Sequence, residues 1–367
     1  MILDNIGVDE ITSYLRNTKY KKILIITGNK SYFKSGASAI FKKIINNKIT
    51  HFYFKNSYFP EIKELKKIVK LSDKIKPDLI LAIGGGAVID YAKIVSCIEY
   101  KEITFKKIFL GKVNYNKKYE LCVVPTTAGS GAEVTSNAVI YINKQKFSFE
   151  SFKLLPDHFI LIPSLVYKLK KNIKASSGFD AISQSIESIL SLKSNKKSIE
   201  FAKKSLKLSL KNYLSFLKKP NKSNTVNMCL AANLSGKAIN ISKTIAPHAV
   251  SYPFTSYFGI NHGHAVSLTL NKFLIFNYKN ISFCDQNFDL KKRYKVLFSL
   301  TKTNSIHQLD NFLKMIKSKA DLEQNFKKLN IDLKKNHTKI IGGINELRLK
   351  NNPIRLYKSD ISNIIQM

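Results

Sequence analysis

The stretch EIKELKKIVKLSDKIKPDLILAIGGG (61–86) decides the fold. Ile, Leu and Val recur at helical spacing from 61 to 76, Pro77 resets the chain, and DLILAI then reads as a fully buried strand running into Gly84, Gly85 and Gly86. The same alternation continues on both sides. KKILIITGN (21–29) is a strand ending in a turn, the segment to about Asn47 reads as a helix, and THFYF (50–54) is a second strand. A helix begins at about Val88, and LCVVP (121–125) is a further strand before the small-residue turn TTAGSG (126–131). This order predicts an α/β domain over residues 1–165 with a doubly wound parallel sheet and a ligand beyond the carboxyl ends of its strands. From about residue 166 the strand signals stop, and 180–217, 224–243 and 262–277 repeat at roughly 3.6 residues. The Lys/Asn-rich stretch 193–197 and the segment 218–224 read as loops between helices. Residues 166–367 are therefore predicted to form an all-α domain.

Composition bounds the function. With 367 residues and 44% hydrophobic side chains the chain can bury a full core, which excludes a disordered or fibrous protein. Lys and Arg number 61 against 25 Asp and Glu, a formal net charge of +36. Such a balance points first to nucleic acid or an anionic membrane surface. Yet only Arg16, Arg293, Arg348 and Arg355 are arginines, leaving 57 lysines scattered among Asn, Ile and Phe. Planar Arg is the better grip for base edges and phosphates, so the bland alternative is a solvated lysine surface with no specific nucleic acid partner and no membrane partner. Cys97, Cys122, Cys229 and Cys284 stand far apart and read as reduced core thiols. The start MILDNIGVDE lacks the basic and apolar runs of a signal peptide, and no apolar stretch approaches the length of a membrane helix. A soluble cytoplasmic protein is expected.

Two turns carry phosphate-binding chemistry. In LAIGGGAVIDYAK (81–93), Gly84 to Gly86 follow a buried strand and open a helix, so backbone N–H groups can close on a phosphate at the positive helix end. Any tight strand-to-helix turn favours glycine, and the spacing is not GxGxxG. A second turn, VPTTAGSGAEVTS (124–136), adds the hydroxyls of Thr126, Thr127 and Ser130. Further on, SGFDAISQSIE places Asp180 and Gln184 at i and i+4 on one helix face, and three of the seven histidines, His248, His262 and His264, fall within 17 residues. A carboxylate, an amide oxygen and two imidazoles make a four-ligand site for a divalent transition metal. The competing reading is that His248 and His262 are hydrogen-bonded core residues and Asp180 a helix N-terminal charge.

With GGGxxxDxxK (Gly84 to Lys93), VPTTAGSGAEVTS, GFDAxxxxIES and PHxxxxPxxxxxGxxHG in order, residues 20 to 275 resemble the iron-dependent (group III) alcohol dehydrogenases. The segments 235–253 and GINHGHAVSLTL (259–270) look most like the 2-hydroxyethylphosphonate dehydrogenase, or phosphonoacetaldehyde reductase, branch of that family. The resemblance implies an N-terminal NAD(P)-binding domain, a helical C-terminal domain, and a metal and reaction centre between them. Its four metal ligands map onto Asp180, Gln184, His248 and His262, with Gln184 standing where most members have His. Gln is a weaker, harder donor, which shifts preference toward Fe²⁺ or Mn²⁺, leaves Zn²⁺ possible, and keeps open a site that holds no metal tightly. Tyr252 stands where many members have a cleft His that relays protons, so Tyr252 or His264 takes that role. For the cofactor, Gly84, Gly85 and Gly86 map to the pyrophosphate and Thr126, Thr127 and Ser130 to the ribose side, while Asp90, Lys93 and Lys146 match motif positions.

No carboxylate follows the second strand in FYFKNSYFP (52–60), and Lys55 lies there, which favours NADPH over NADH. The expected reaction is reduction of phosphonoacetaldehyde to 2-hydroxyethylphosphonate, reversible alcohol/aldehyde hydride transfer by a homodimeric enzyme. The small anionic substrate needs cations, for which Lys237, Lys243 and His264 are the candidates. Two alternatives stand beside it: an alcohol dehydrogenase of the same type acting on a simple aldehyde, and a catalytically disabled basic binding protein for nucleic acid or anionic lipid.

Overall fold

The structure, a computed structural model, describes residues 5–16, 19–344 and 346–366. Met1 to Asp4, on which the expected lack of a signal peptide partly rests, lie outside the described residues. The chain divides into two compact units, residues 1–127 with 131–169, and residues 128–130 with 170–367. The second unit thus takes its first three residues from the turn after the strand 121–125, which the sequence places wholly in the first.

The first unit holds helices α1 (Val8–Arg16), α2 (Asn29–Lys34), α3 (Ala37–Ile44), α4 (Ile62–Ile75), α5 (Gly86–Val95), α6 (Glu102–Phe109) and α7 (Pro163–Tyr167). Its strands are β1 (Lys22–Gly28), β2 (Ile49–Lys55), β3 (Leu79–Gly84), β4 (Glu120–Pro125), β5 (Asn137–Ile142), β6 (Gln145–Glu150) and β7 (His158–Phe159). Five strands form a wholly parallel sheet in the order β2-β1-β3-β4-β7. Alternate side chains sort onto its two faces. Leu24, Ile26, Ile80 and Ala82 pack with α4 and α5, whereas Ile23, Ile25, Leu79, Leu81 and Ile83 pack with α1, α3 and α7. Each of these side chains is fully buried, and an Ile or Leu moved from water contributes roughly 1.5–3 kcal/mol. The strand order reverses direction between β1 and β3, so the crevice at the end of β3 is where a doubly wound sheet binds its ligand.

One predicted helix, the segment to Asn47, is two short helices, because Gly36 between them takes a left-handed φ of 88°. An antiparallel hairpin of β5 and β6, which the sequence does not announce, lies outside the main sheet. Lys93 of α5 fixes it there. Its ammonium, fully buried, donates to the carbonyls of Thr135 (2.7 Å) and Asn137 (2.9 Å) and to Thr135 Oγ1 (2.9 Å). Burial lowers the Lys93 pKa to about 8 against the pull of Asp90 and Glu133.

The second unit is helical, with α8 (Lys171–Leu190), α9 (Lys196–Lys218), α10 (Lys222–Ser242), α11 (Ala246–Phe258), α12 (His262–Lys279), α13 (Leu290–Thr301), α14 (Ile306–Lys319), α15 (His337–Gly342), α16 (Glu346–Leu349) and α17 (Lys358–Gln366). The run 180–217 is interrupted at 191–195, where Asn195 and Ser198 cap each other's backbone N–H groups and start α9. α8 lies at the centre, packed by α9, α10 and α12. Its buried serines satisfy themselves locally, as in Ser183 Oγ to the Phe179 carbonyl (2.9 Å), so the helix runs through apolar surroundings without orphaned hydroxyls there. Cys97, Cys122 and Cys229 are buried and all four cysteines are unbridged. No helix among the described residues is long and apolar enough to cross a membrane.

Replacing Lys93 by Met removes one ammonium and leaves three buried acceptors without their donor. We expect Lys93→Met to cost about 3 kcal/mol of stability, seen as a lower thermal midpoint; an unchanged midpoint would show that the ammonium does not hold the hairpin.

Candidate functional site

α8 presents Asp180, Gln184 and Glu187 at i, i+4 and i+7, so the three fall along one face, and all are buried. α11 starts over that face. The Ile245 N–H donates to Glu187 Oε2 (2.9 Å), and one turn on, His248 meets Glu187 Oε1 through Nδ1 (2.5 Å) and Asp180 Oδ1 through Nε2 (3.2 Å). His262, the first residue of α12, completes the group. Its ring stands 5.3 Å from that of His248, edge to face, and ligand atoms of Asp180, His248 and His262 all lie within 4.8 Å of one another.

Close helix packing makes this possible. A Cβ on Gly263 would meet the Ser176 carbonyl oxygen at 2.0 Å and Asp180 Cβ at 2.8 Å, so only glycine lets α12 begin against α8 with His262 beside Asp180. The Gly129 position is as tight, 2.6 Å from the Ser177 carbonyl, and brings the 128–130 turn onto the same helix.

The donors fit a divalent cation. Burial alone would depress the His248 imidazolium, but the Glu187 charge and the bonds to Asp180 and Glu187 outweigh it and push its pKa up to about 9. Positive charge is what this buried pair of carboxylates requires. With Nδ1–H directed at Glu187, the Nε2 lone pair faces Asp180, the tautomer a metal-binding imidazole needs. One carboxylate and two imidazoles suit Fe²⁺, Zn²⁺ or Mn²⁺. Gln184 stands beside them with its amide nitrogen 3.3 Å from Asp180 Oδ2 and 3.3 Å from the Ser130 carbonyl, and its Oε1 accepts from Ser235 Oγ (2.8 Å). Turning the amide over would present Oε1 to the cluster, and Ser235, 2.8 Å from the Ala232 carbonyl, can then donate there and accept from Gln184.

Around the centre, the Tyr252 ring lies 6.1 Å from that of His262, and its hydroxyl is hydrogen-bonded to the Arg348 guanidinium. Burial raises the Tyr252 pKa while Arg348 pulls it down, and burial prevails. His264 turns away: its Nε2 meets the Glu323 carbonyl at 2.7 Å and its main-chain N–H donates to Ser176 Oγ (3.0 Å). Burial lowers its pKa. Lys243 turns its ammonium back to the Asn240 carbonyl (2.9 Å) of its own helix, and Lys237 is half-buried on α10. Sequence reasoning left Glu187 and Arg348 without a role. For Glu187 the signal was present, since it continues the Asp180/Gln184 face by one turn; for Arg348 only the rarity of arginine could have drawn notice.

In the first unit, Gly84, Gly85 and Gly86 join β3 to α5 at the point where the sheet order reverses. A Cβ on Gly84 would lie 2.5 Å from the Val88 side chain. The Thr126 N–H donates to the Gly84 carbonyl (3.0 Å), and the Thr127 side chain lies 3.4 Å from the place of a Gly85 Cβ, so the two turns meet at the ends of β3 and β4. Main-chain N–H groups at the start of α5 can receive a phosphate there. Ser130 belongs to the second unit. Asp90, Lys93 and Lys146 form a charge cluster at the hairpin: burial raises Asp90 to about 6 while Lys93, Lys146 and the Val139 N–H oppose it, and the Lys93 ammonium is committed to the protein's own oxygens.

A buried carboxylate–imidazole centre together with a nucleotide-type glycine turn defines a metal- and nicotinamide-dependent oxidoreductase. Residues 2–163 match the model for iron-containing alcohol dehydrogenase, and residues 174–367 that for the C-terminal part of the Fe-containing alcohol dehydrogenase family. The chain belongs to the iron-containing alcohol dehydrogenase family, whose members use NAD(P) and a divalent metal, usually iron. It is 28% identical over 263 residues to the 4-hydroxybutyrate dehydrogenase of Clostridium kluyveri, covering 70% of this chain and 69% of that protein. To the phosphonoacetaldehyde reductase of Streptomyces viridochromogenes it is 29% identical over 223 residues, 56% of this chain and 54% of that one, so about half of that protein's length is spanned. The fold is that of the sulfoacetaldehyde reductase from Bifidobacterium kashiwanohense, solved in complex with NAD⁺, with a TM-score of 0.86, 24% identity, and 99% and 95% of the two chains covered.

Glu187→Gln keeps the shape but loses the charge that orients His248. We expect about 10- to 100-fold weaker Zn²⁺ or Mn²⁺ binding by calorimetry; unchanged affinity would remove Glu187 from the metal centre.

Proposed function

We propose that the protein reduces a short aldehyde with an anionic tail, phosphonoacetaldehyde being the candidate, to the primary alcohol with NADPH as the favoured donor. The observation that carries this is shared by the two similar proteins named from C. kluyveri and S. viridochromogenes: 4-hydroxybutyrate and phosphonoacetaldehyde both join a short chain to a terminal anion. Cofactor preference rests on the loop after β2. Its nearby carboxylate, Glu64, accepts from the Asn56 (2.8 Å) and Ser57 (3.2 Å) N–H groups and from the Tyr91 hydroxyl (3.1 Å), which ties it to the loop rather than to ribose hydroxyls. Lys55 is the cation of that region, donating to the Ser57 and Tyr58 carbonyls.

Asp180, His248 and His262 would hold the ion, with Gln184 as the fourth donor once its amide oxygen faces them. When bound, the ion supplies Lewis-acid polarisation of the carbonyl oxygen and the nicotinamide supplies hydride. The protein's own residues then do three things. Glu187 keeps His248 in one tautomer and orientation. Gly263 holds His262 against Asp180. Tyr252, which burial keeps protonated, carries at its hydroxyl oxygen the proton that the product alcohol needs, and an Arg348 N–H donating to that oxygen leaves the phenol hydrogen as the one given up. His264, bonded to the Glu323 carbonyl, is the weaker candidate for that role.

With Fe²⁺ or Zn²⁺ added, we expect NADPH oxidation with phosphonoacetaldehyde at a kcat/KM at least tenfold above that for propanal. Equal or better turnover of propanal would remove the anionic substrate and leave an alcohol dehydrogenase of simple aldehydes; no oxidation with any aldehyde would remove the activity.

A further inference from the structure

We infer that Arg348 is the specificity-determining residue that receives the anionic end of the substrate, an inference that rests on the anionic-aldehyde reading above. Arg348 is one of four arginines in a chain of 57 lysines, and it is the one whose guanidinium reaches the metal centre's surroundings, through the hydroxyl of Tyr252. The Tyr252 ring in turn is 6.1 Å from that of His262. A cation one side chain removed from the ligands is well placed for a molecule whose carbonyl and anion are separated by one or two carbons.

The segment that carries Arg348 is held firmly at both ends. α15 and α16 pack on α11, and the Gly343 backbone sits against Pro253, the residue after Tyr252, where a Cβ would come within 3.0 Å of Pro253 Cβ. Beyond α16, the buried Asn351 donates to the Thr244 carbonyl (3.0 Å) and accepts from the Leu192 N–H (3.0 Å) through its own carbonyl. Asn352 exchanges amide hydrogen bonds with Asn277 (3.2 and 2.9 Å). Three separate helices are thereby clamped to the few residues around Arg348, which fixes the guanidinium without help from a ligand.

Chemistry favours this residue over the lysines. A guanidinium is planar, always charged, and offers forked donors that can serve a phenol oxygen and two oxygens of a phosphonate, sulfonate or carboxylate. Lys243, the sequence candidate, directs its ammonium to the Asn240 carbonyl instead. Near the carboxylates of Asp180 and Glu187, an anionic substrate would meet repulsion unless a fixed positive charge balanced it, and Arg348 supplies one.

The test measures two quantities on the full chain, wild type and Arg348→Met: calorimetric affinity for 2-hydroxyethylphosphonate, and the ratio of kcat/KM for phosphonoacetaldehyde over propanal. We expect each to fall on the order of 100-fold in Arg348→Met. Arg348→Lys, which keeps the charge, should recover part of both and guards against a misfolded Met variant. Equal losses with both aldehydes and unchanged phosphonate affinity would show that Arg348 acts only through Tyr252 and would overturn the inference, as would two unaltered quantities. Phosphonate binding that depends on Arg348 in a protein turning over no aldehyde would sustain Arg348 as the anion receptor while removing the proposed reaction.

Discussion

The run of buried hydrogen bonds from the Ile245 N–H through Glu187 and His248 to Asp180 is the constraint on which the helical unit's chemistry depends. Glu187 is wholly shielded from water, where an unpartnered carboxylate is very costly, so it must be met by donors from another helix. α11 meets it twice, with the N–H that opens the helix and with the imidazole one turn later. This couples where α11 starts to which nitrogen of His248 faces Asp180, and therefore makes the metal centre and the helix packing one problem.

The same logic explains why small residues border the site. Gly129, Gly178 and Gly263 each lie where a Cβ would collide with a neighbouring helix or ring, and all three collisions involve α8. A side chain at 263 would displace His262 before it cost much else. Hydroxyls do the complementary work: Ser176 receives the His264 N–H, and Ser235 braces the Gln184 amide, so the exposed ends and polar side chains of buried helices find partners without bringing in another charge.

Much of this was legible in the sequence, and the omissions have physical causes. β1, β3 and β4 announced themselves as unbroken apolar runs because both faces of a parallel sheet are covered. Asp180, His248 and His262 were readable because histidine is scarce in this chain and cannot hide in a lysine background. The β5–β6 hairpin was not, since its turn is Asn143–Lys144, both with positive φ, and lacks the glycine that usually marks such a turn. α11 escaped notice because Pro247 and Pro253 lie in it and it is buried on nearly every side, which erases the polar stripe. Lys93 matched a cofactor motif, yet its position relative to Thr135 and Asn137 depends on how the chain folds back, which no local pattern encodes. The domain boundary moved to 169/170, and residues 128–130 joined the helical unit, because close packing on α8 overrides chain order.

The net charge of +36 takes on a narrower meaning. Diffuse lysines set a positive field that raises the encounter rate of small anions in a salt-dependent way, whereas discrimination needs a fixed, directional cation such as Arg348. Both depend on the centre formed by Asp180, His248 and His262 holding an ion at all. The most direct test is titration of the metal-stripped protein with Co²⁺, followed by visible absorption. One ion per chain with ligand-field bands that vanish in His262→Ala is the predicted result; absence of stoichiometric binding, or bands that persist in His262→Ala, would contradict the account.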